Sequence, residues 1–127
     1  MIDKKENYKV ILLIDDEVLI RKTGQRLLSK LGYSVLLAAD GQEALDLYRK
    51  KQGDVSLVLL DMIMPGMTGR ETFEQLQKIN PSVKVLLTSG YDKNDKIDQL
   101  IDAGAAGFLQ KPYNMTILND TVSSAFA

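Results

Sequence analysis

Five apolar stretches recur along the chain, and each is followed by a segment in which apolar residues have helical spacing. The apolar stretches predict β-strands over Val10–Ile14, Ser34–Leu37, Val55–Leu60, Val83–Leu87 and Gly107–Leu109. The segments between and after them predict helices at about Val18–Lys30, Gln42–Lys51, Gly69–Ile79, Asn94–Asp102 and from Asn114 to Ala125. The third and fourth strands are apolar throughout, which is typical of strands covered on both faces.

Capping and turn residues mark the ends of the predicted helices. Gly32 closes the first helix, and Asp40 precedes the second as a candidate N-cap. Pro81 marks the exit of the third helix, and Gly104 follows the fourth. Asn114 is positioned to cap the last helix. The helix boundaries therefore have local chemical signals besides the apolar pattern.

Strict alternation of strands and helices predicts the fold class. Such alternation indicates right-handed crossovers and a parallel sheet with helices on both faces. Five strand–helix units predict an α/β, flavodoxin-like (βα)5 fold, a doubly wound parallel five-stranded sheet with strand order 2-1-3-4-5. In such a sheet the chain reverses between strands one and three, and ligands bind at the carboxyl ends of the strands there.

Polar residues follow four of the five predicted strands at that edge. They are Asp15 and Asp16 after strand one, Asp61 after strand three, Thr88 and Ser89 after strand four, and Lys111 after strand five. Each has an ordinary explanation by itself: a helix cap for the acidic residues, a strand-end hydroxyl, an exposed lysine. Together, three carboxylates, a hydroxyl and an ammonium at one edge suit a divalent cation and a phosphoryl group.

Composition excludes several other classes of chemistry. The 127 residues fit one domain, and 16 basic against 17 acidic residues indicate no special attraction to nucleic acid or to an anionic membrane. The chain has neither cysteine nor histidine, so disulfides, thiolate sites, Ser–His–Asp catalysis and histidine-bound zinc are excluded. A polar N-terminus and the lack of an apolar run of about 18 residues predict a soluble, cytoplasmic protein. We expect an N-terminal extension over residues 1–8 and a single domain over residues 9–127.

Four sequence stretches together resemble a known family. LLIDDE, LVLLDMIMPGMTG, LLTSG and LQKPY, in this order, are similar to the signature stretches of response-regulator receiver domains. The resemblance covers about Val10 to Ala125, and its motif style is closest to the receivers of hybrid sensor kinases. It implies a phosphoacceptor module of a two-component phosphorelay.

The resemblance assigns roles to the strand-end residues. It implies that Asp61 is the phosphoacceptor and that Asp15 and Asp16 organise Mg²⁺, for which Mn²⁺ can substitute. Asp61 itself and the backbone carbonyl of Ile63 complete the implied metal ligands from the protein. Lys111 is implied to pair with Asp61 at rest and with a phosphoryl oxygen afterwards.

The resemblance also implies a switch that reads the phosphoryl group. Its hydroxyl is Ser89 rather than Thr88, because the spacing from Ser89 to Lys111 matches the family without a gap. The aromatic switch position falls at Phe108, where many relatives have tyrosine. The Lys111–Pro112 peptide bond is implied to be cis, a form that proline makes accessible.

A sensor histidine kinase or a histidine phosphotransfer protein is the implied donor. The implied output is the surface of helix four, strand five and helix five, with a phosphorylation-dependent dimer as one form of it. The family implies self-dephosphorylation but no turnover of an external substrate. Bulky Ile63 and Tyr91 flank the expected path of water, and this predicts slow loss of the phosphoryl group; ordinary loop packing is the alternative.

Three other functions compete with this interpretation. A haloacid-dehalogenase-like phosphatase needs a second aspartate two residues after Asp61, where this chain has Ile63. An FMN-binding flavodoxin needs a phosphate-binding loop after strand one, and Asp15 and Asp16 would repel an anion there. A receiver-like interaction module that is never phosphorylated stays open as the alternative.

Overall fold

The computed structural model describes residues 9–51, 53–91 and 94–126, which form alternating strands and helices. The strands are β1 (Val10–Ile14), β2 (Ser34–Ala38), β3 (Val55–Asp61), β4 (Val85–Ser89) and β5 (Gly107–Gln110). The helices are α1 (Val18–Lys30), α2 (Gly41–Lys51), α3 (Gly69–Ile79), α4 (Asp95–Asp102) and α5 (Met115–Phe126). The predicted extension over residues 1–8 lies outside the described residues. None of the helices described is long and apolar enough to cross a membrane.

All five strands join one parallel sheet with the order β2-β1-β3-β4-β5, so the predicted fold class and strand order are confirmed. The register aligns the carboxyl ends of the central strands. Ile14 at the end of β1 lies opposite Leu60, and Asp61 at the end of β3 lies opposite Thr88. Side chains that follow β1 and β3 therefore emerge at the same edge of the sheet.

The sheet separates two apolar cores because successive side chains of a strand point to opposite faces. On one face, Leu12 and Ile14 of β1 pack with buried residues of α2, α3 and α4. On the other face, Ile11 and Leu13 pack with buried residues of α1 and α5. Both sides of the central strands are thus covered, which explains why their sequences are continuously apolar.

The capping residues predicted from the sequence are confirmed. The side chains of Asp40 and Asn114 each accept a backbone N–H bond of 2.8 Å in the first turn of α2 and α5. Gly32 and Gly104 follow α1 and α4 with positive φ angles of 98° and 118°, the region that glycine enters without a steric penalty. In addition, Thr68 forms a reciprocal capping box at the start of α3.

The fourth strand differs from its prediction. It runs over Val85–Ser89, two residues later than the predicted Val83–Leu87. Val83 is apolar and buried, but its N–H donates to the carbonyl of Asn80 at 3.0 Å and closes a turn after α3. The two hydroxyl residues are consequently the last residues of β4 rather than the residues after it. Because both residues belong to the sheet, their position relative to β3 is fixed by strand pairing.

Candidate functional site

Three charged side chains meet in a buried position at the carboxyl edge of the sheet. Asp15 follows β1, Asp61 ends β3 and Lys111 follows β5. Asp15 and Asp61 are each 2% exposed, and Lys111 is 9% exposed. Burial of charged groups is costly unless they are paired, so their arrangement must neutralise charge locally. We call Asp15, Asp61 and Lys111 the charged floor.

Lys111 bridges both carboxylates of the charged floor. Its Nζ lies 3.0 Å from Asp15 Oδ2 and 3.2 Å from Asp61 Oδ2. The sequence predicted the contact with Asp61, and the structure adds the shorter one with Asp15. Burial lowers the pKa of Lys111, but the hydrogen bond that its ammonium donates to Asp15 and the negative charge of Asp61 outweigh it, so the pKa lies above its ordinary value. The ammonium is therefore charged at neutral pH.

Asp61 is held in an environment that disfavours its ionised form. Burial raises its pKa from 3.8 to about 6, and the nearby charge of Asp15 adds to the rise. A hydrogen bond of 3.2 Å from the backbone N–H of Ile63 to Asp61 Oδ1 and the charge of Lys111 act in the opposite direction. A further positive charge near Asp61 would lower this pKa.

The acidic residues form a cluster that fits a hard divalent cation. Carboxylate oxygens of Asp15, Asp16 and Asp61 all lie within 4.8 Å of one another. Asp15 Oδ1 also accepts the backbone N–H of Glu17 at 2.9 Å, which fixes this carboxylate. Mg²⁺ and Mn²⁺ prefer oxygen ligands and leave part of their coordination shell to water, so a cluster of two or three carboxylates suffices. The donor chemistry of the cluster therefore matches the expected cation.

The predicted switch residues lie on the neighbouring strands β4 and β5. Ser89 Oγ accepts the backbone N–H of Tyr91 at 3.1 Å, while the Ser89 carbonyl accepts the backbone N–H of Lys111 at 2.7 Å. Thr88 lies opposite Asp61 in the register of β3 and β4. Phe108 is partly buried against the core formed with α2, α3 and α4. The Lys111–Pro112 peptide bond is cis, as expected.

An open cavity of about 630 Å³ leads to Asp61 and Lys111. Its lining includes three exposed apolar side chains, Leu19, Ile63 and Tyr91, which are 80%, 55% and 67% exposed. We call these three residues the apolar rim. Large apolar side chains at such exposure are typical of surfaces that contact another molecule when they cluster.

Two further residues at the site had no role in the sequence analysis. Arg21 of α1 donates from Nη1 to the backbone carbonyl of Asp15 at 2.7 Å and so holds the turn after β1. Tyr113 lines the cavity next to Pro112 and is partly buried against the core of α1 and α5. Burial and, secondly, the charge of Asp15 raise the pKa of the Tyr113 phenol. A basic residue in the second turn of α1 and an aromatic residue after the proline are the signals that could have indicated them.

Comparison with known proteins shows the family. The profile of the response regulator receiver domain matches residues 11–123. The chain is 37% identical over 112 residues to the sensor kinase CckA of Brucella abortus, covering 88% of this chain but 12% of that kinase. It is 35% identical to sporulation initiation phosphotransferase F of Bacillus subtilis, covering 88% of this chain and 89% of that protein. The chain spans 30% of a cyclic di-GMP phosphodiesterase of Thermotoga maritima, to which it is 29% identical.

Solved structures agree with these sequence relatives. CheY in the CheX-CheY-BeF3-Mg²⁺ complex of Borrelia burgdorferi is similar with a TM-score of 0.91 at 25% identity, covering 99% of this chain and 96% of that one. The receiver domain of the hybrid histidine kinase CckA has a TM-score of 0.78 at 32% identity, covering 93% and 99%. The chain therefore belongs to the response regulator receiver domain family, the receiver modules of two-component signalling.

Proposed function

We propose that this domain, over residues 9–127, receives a phosphoryl group on Asp61 from a phosphohistidine of a partner protein. The single observation that supports this most strongly is the Lys111 ammonium 3.2 Å from the Asp61 carboxylate, beside a cluster of three carboxylates. An ammonium and a cation-binding cluster around one carboxylate suit phosphoryl transfer, in which negative charge must be neutralised. This sequence has no histidine, which supports a donor imidazole that lies outside it.

Asp15, Asp16 and Asp61 would hold Mg²⁺ or Mn²⁺, with the carbonyl of Ile63 as a further ligand. When bound, the cation supplies positive charge that neutralises acceptor and phosphoryl oxygens in the transition state. The residues of the chain prepare this site: the Glu17 N–H fixes one oxygen of Asp15, and Lys111 fixes the other. Because added positive charge lowers the pKa of Asp61, the acceptor is ionised in the loaded site.

The transfer step uses one oxygen of Asp61 as the nucleophile. A bond forms between this oxygen and phosphorus while the bond between phosphorus and the partner's imidazole nitrogen breaks in line with it. The imidazole leaves with the bonding electron pair, and Asp61 becomes an acyl phosphate. Lys111 then exchanges its contact with the Asp61 carboxylate for a phosphoryl oxygen. No proton need be taken from Asp61, since it reacts as a carboxylate.

The phosphoryl group would then be read by Ser89 and Phe108. The Ser89 hydroxyl exchanges its bond from the Tyr91 N–H for a bond to a phosphoryl oxygen. Its movement leaves space for the partly buried Phe108 ring, and α4, β5 and α5 shift in population toward an active surface. A dimer formed through this surface on phosphorylation remains a prediction.

The apolar rim supports a protein donor. A partner that delivers phosphohistidine must cover the mouth of the cavity, and Leu19, Ile63 and Tyr91 line this cavity as exposed apolar side chains. Contact with apolar side chains of a partner would remove them from water and exclude water from the transfer step. Sensor histidine kinases and histidine phosphotransfer proteins are the partners of this kind that we propose.

Incubation with acetyl phosphate, with and without Mg²⁺, tests the proposal. We expect an intact-mass increase of one phosphoryl group that requires Mg²⁺, is labile to hydroxylamine and is absent from Asp61→Asn. Asp54→Asn, which changes an exposed aspartate in the turn before β3, is the matched control and should be phosphorylated at the wild-type rate. If a folded wild-type protein gains no phosphoryl group under these conditions, the alternative of an interaction module that is never phosphorylated is correct.

A further inference from the structure

Helix α1 contains a glycine at a position where a Cβ atom would overlap two neighbouring side chains. Gly24 lies in the interior of α1 and is buried. A Cβ atom at this position would lie 2.8 Å from Leu13 Cδ2 and 2.8 Å from the hydroxyl oxygen of Tyr113. Glycine weakens a helix relative to alanine, so this residue is unfavourable for α1 itself. Its value must come from the close approach that it permits.

The two contacts differ in how easily they could yield. The Leu13 methyl group is the end of a flexible side chain and can move by rotation about its own bonds. The Tyr113 hydroxyl is the end of a rigid ring, so it can move only if the whole ring or its backbone moves. One side of the ring packs against the core formed with α1 and α5, and the residue also lines the cavity beside Pro112 and Lys111, so a displaced ring would move toward the cavity. A larger residue at position 24 would therefore push the Tyr113 ring away from α1 and strain the segment that carries it.

Displacement of Tyr113 would reach Lys111 through a short and stiff connection. Only Pro112 separates the two residues, and its ring restricts rotation of the backbone. On its other side, the Lys111 N–H is already held by the Ser89 carbonyl at 2.7 Å. The position of the ammonium between Asp15 and Asp61 thus depends on the placement of the Tyr113 ring against α1.

We infer that Gly24 and Tyr113 are positioning residues for the phosphoryl-transfer site: the ring of Tyr113, seated on the bare backbone of Gly24, aligns Lys111 with Asp61. This inference rests on the proposed acceptor role of Asp61. Neither residue touches the reacting atoms, and both act through Lys111. The arrangement explains why a glycine is placed inside a helix that would be more stable with alanine.

Gly24→Ala tests the inference, with Gly53→Ala as the matched control. The same methyl group at Gly53 meets no atom within 4 Å. With acetyl phosphate and saturating Mg²⁺, we expect Gly24→Ala to lower the initial phosphorylation rate about tenfold, because misplacement of a catalytic group by about 1 Å costs up to about 100-fold. Gly53→Ala should stay within twofold of wild type. A rate for Gly24→Ala within twofold of wild type would overturn the inference.

A double-mutant cycle shows whether the effect passes through the phenol. Tyr113→Phe removes the hydroxyl that a Cβ at position 24 would meet, so Gly24→Ala should cost much less in that background. The contact with Leu13 is the same in both backgrounds and cancels from the comparison. An equal loss of rate in both backgrounds contradicts a role of Tyr113.

Mg²⁺ affinity, measured by calorimetry, separates positioning from general damage. If only Lys111 moves, the carboxylates lose a competing ammonium, and Gly24→Ala should bind Mg²⁺ as tightly as wild type or more tightly. Weaker Mg²⁺ binding would show a disordered site and overturn the inference. A wild-type protein that accepts no phosphoryl group would instead refute the proposed function, and the Mg²⁺ comparison would still test how Gly24 affects the site.

Discussion

The charged floor and the apolar rim of one cavity invert the usual distribution of side chains. The floor buries Asp15, Asp61 and Lys111, whereas the rim exposes Leu19, Ile63 and Tyr91 to solvent. Charged residues are rarely buried without a partner, and large apolar residues seldom cluster on a free surface. Both regions therefore depart from what folding alone favours, but in opposite directions.

The charged floor and the apolar rim differ in the contacts on which they depend. The floor is held by contacts inside the chain, including the Lys111 bridge and the Arg21 bond to the Asp15 carbonyl. Substitutions there should change chemistry and stability together, whichever phosphodonor is used. We propose that the rim contacts a protein donor, so a substitution of Leu19 should change transfer from that donor alone. Substitutions of Ile63 and Tyr91 should in addition change how fast the phosphoryl group is lost. The following predictions are ordered from the largest expected effect to the smallest.

Lys111→Ala should have the largest effect on the chemistry of the floor. Removing one preorganised cationic donor from a buried site costs on the order of 100- to 1,000-fold in rate. We expect this loss with acetyl phosphate and with a protein donor alike, measured as the initial rate of phosphorylation. Lys78→Ala, on the exposed surface of α3, is the control and should have no effect. A loss of rate seen only with the protein donor would mean that Lys111 contributes to partner binding rather than to the chemistry of the charged floor.

Asp61→Asn should stabilise the metal-free fold at neutral pH. The pKa of Asp61 is raised from 3.8 to about 6, so folding favours its protonated form. The favourable contribution is present below pH 3.8 and is lost as pH rises through 6, because the folded state then holds a buried, ionised carboxylate that also lies near Asp15. The difference corresponds to about 3 kcal/mol at most.

Urea unfolding in EDTA measures this effect. At pH 7.5 the Asp61→Asn protein should have the higher free energy of unfolding, and the advantage should fade by about pH 4. The same measurement on Asp54→Asn, an exposed residue, controls for the change of net charge. An advantage that does not depend on pH would mean that packing, rather than ionisation, distinguishes the two side chains.

The sequence pattern predicted the sheet and the edge where the charges meet because both follow from local periodicity. Continuous apolar runs identified the buried strands, and strand ends located Asp15, Asp61 and Lys111. The same rule misplaced β4, since Val83 is apolar but belongs to a turn. Periodicity cannot distinguish a buried turn residue from a buried strand residue.

Contacts between distant segments were beyond the reach of the sequence pattern. The family resemblance implied the pairing of Lys111 with Asp61 but did not indicate that Asp15 would be the nearer partner, which depends on side-chain geometry. The fit of Tyr113 on Gly24 depends on how closely α1 approaches the segment after β5. Such distances are set by tertiary packing, and the presence of a glycine or a tyrosine in the sequence does not indicate them.

Leu19→Glu should slow phosphoryl transfer from a protein donor and leave phosphorylation by acetyl phosphate unchanged. A carboxylate at this highly exposed position would oppose burial against a partner, and we expect transfer from a phosphorylated histidine phosphotransfer protein to slow about tenfold, because burial of one leucine contributes roughly 1.5–3 kcal/mol. Phosphorylation by acetyl phosphate should remain at the wild-type rate. Ile117→Glu, an exposed apolar residue of α5, is the matched control. Equal slowing with both donors would show that Leu19 contributes to the floor.

The smallest expected effect concerns loss of the phosphoryl group. Ile63 and Tyr91 both line the cavity that reaches Asp61; both side chains are bulky, and Ile63 has no polar group that could orient water. The double variant Ile63→Asn/Tyr91→Glu places groups there that accept hydrogen bonds from an attacking water, so dephosphorylation should become several-fold faster, within the range of positioned general-base effects. The measurement is the decay of phosphorylated protein after removal of the donor in constant Mg²⁺. Phosphorylated Leu19→Glu protein should lose its phosphoryl group at the wild-type rate, since the new carboxylate would lie at the exposed position where we propose that the partner binds. Decay of the double variant at or below the wild-type rate would mean that these two residues only pack the loops, and that the rim has no part in the lifetime of the signal.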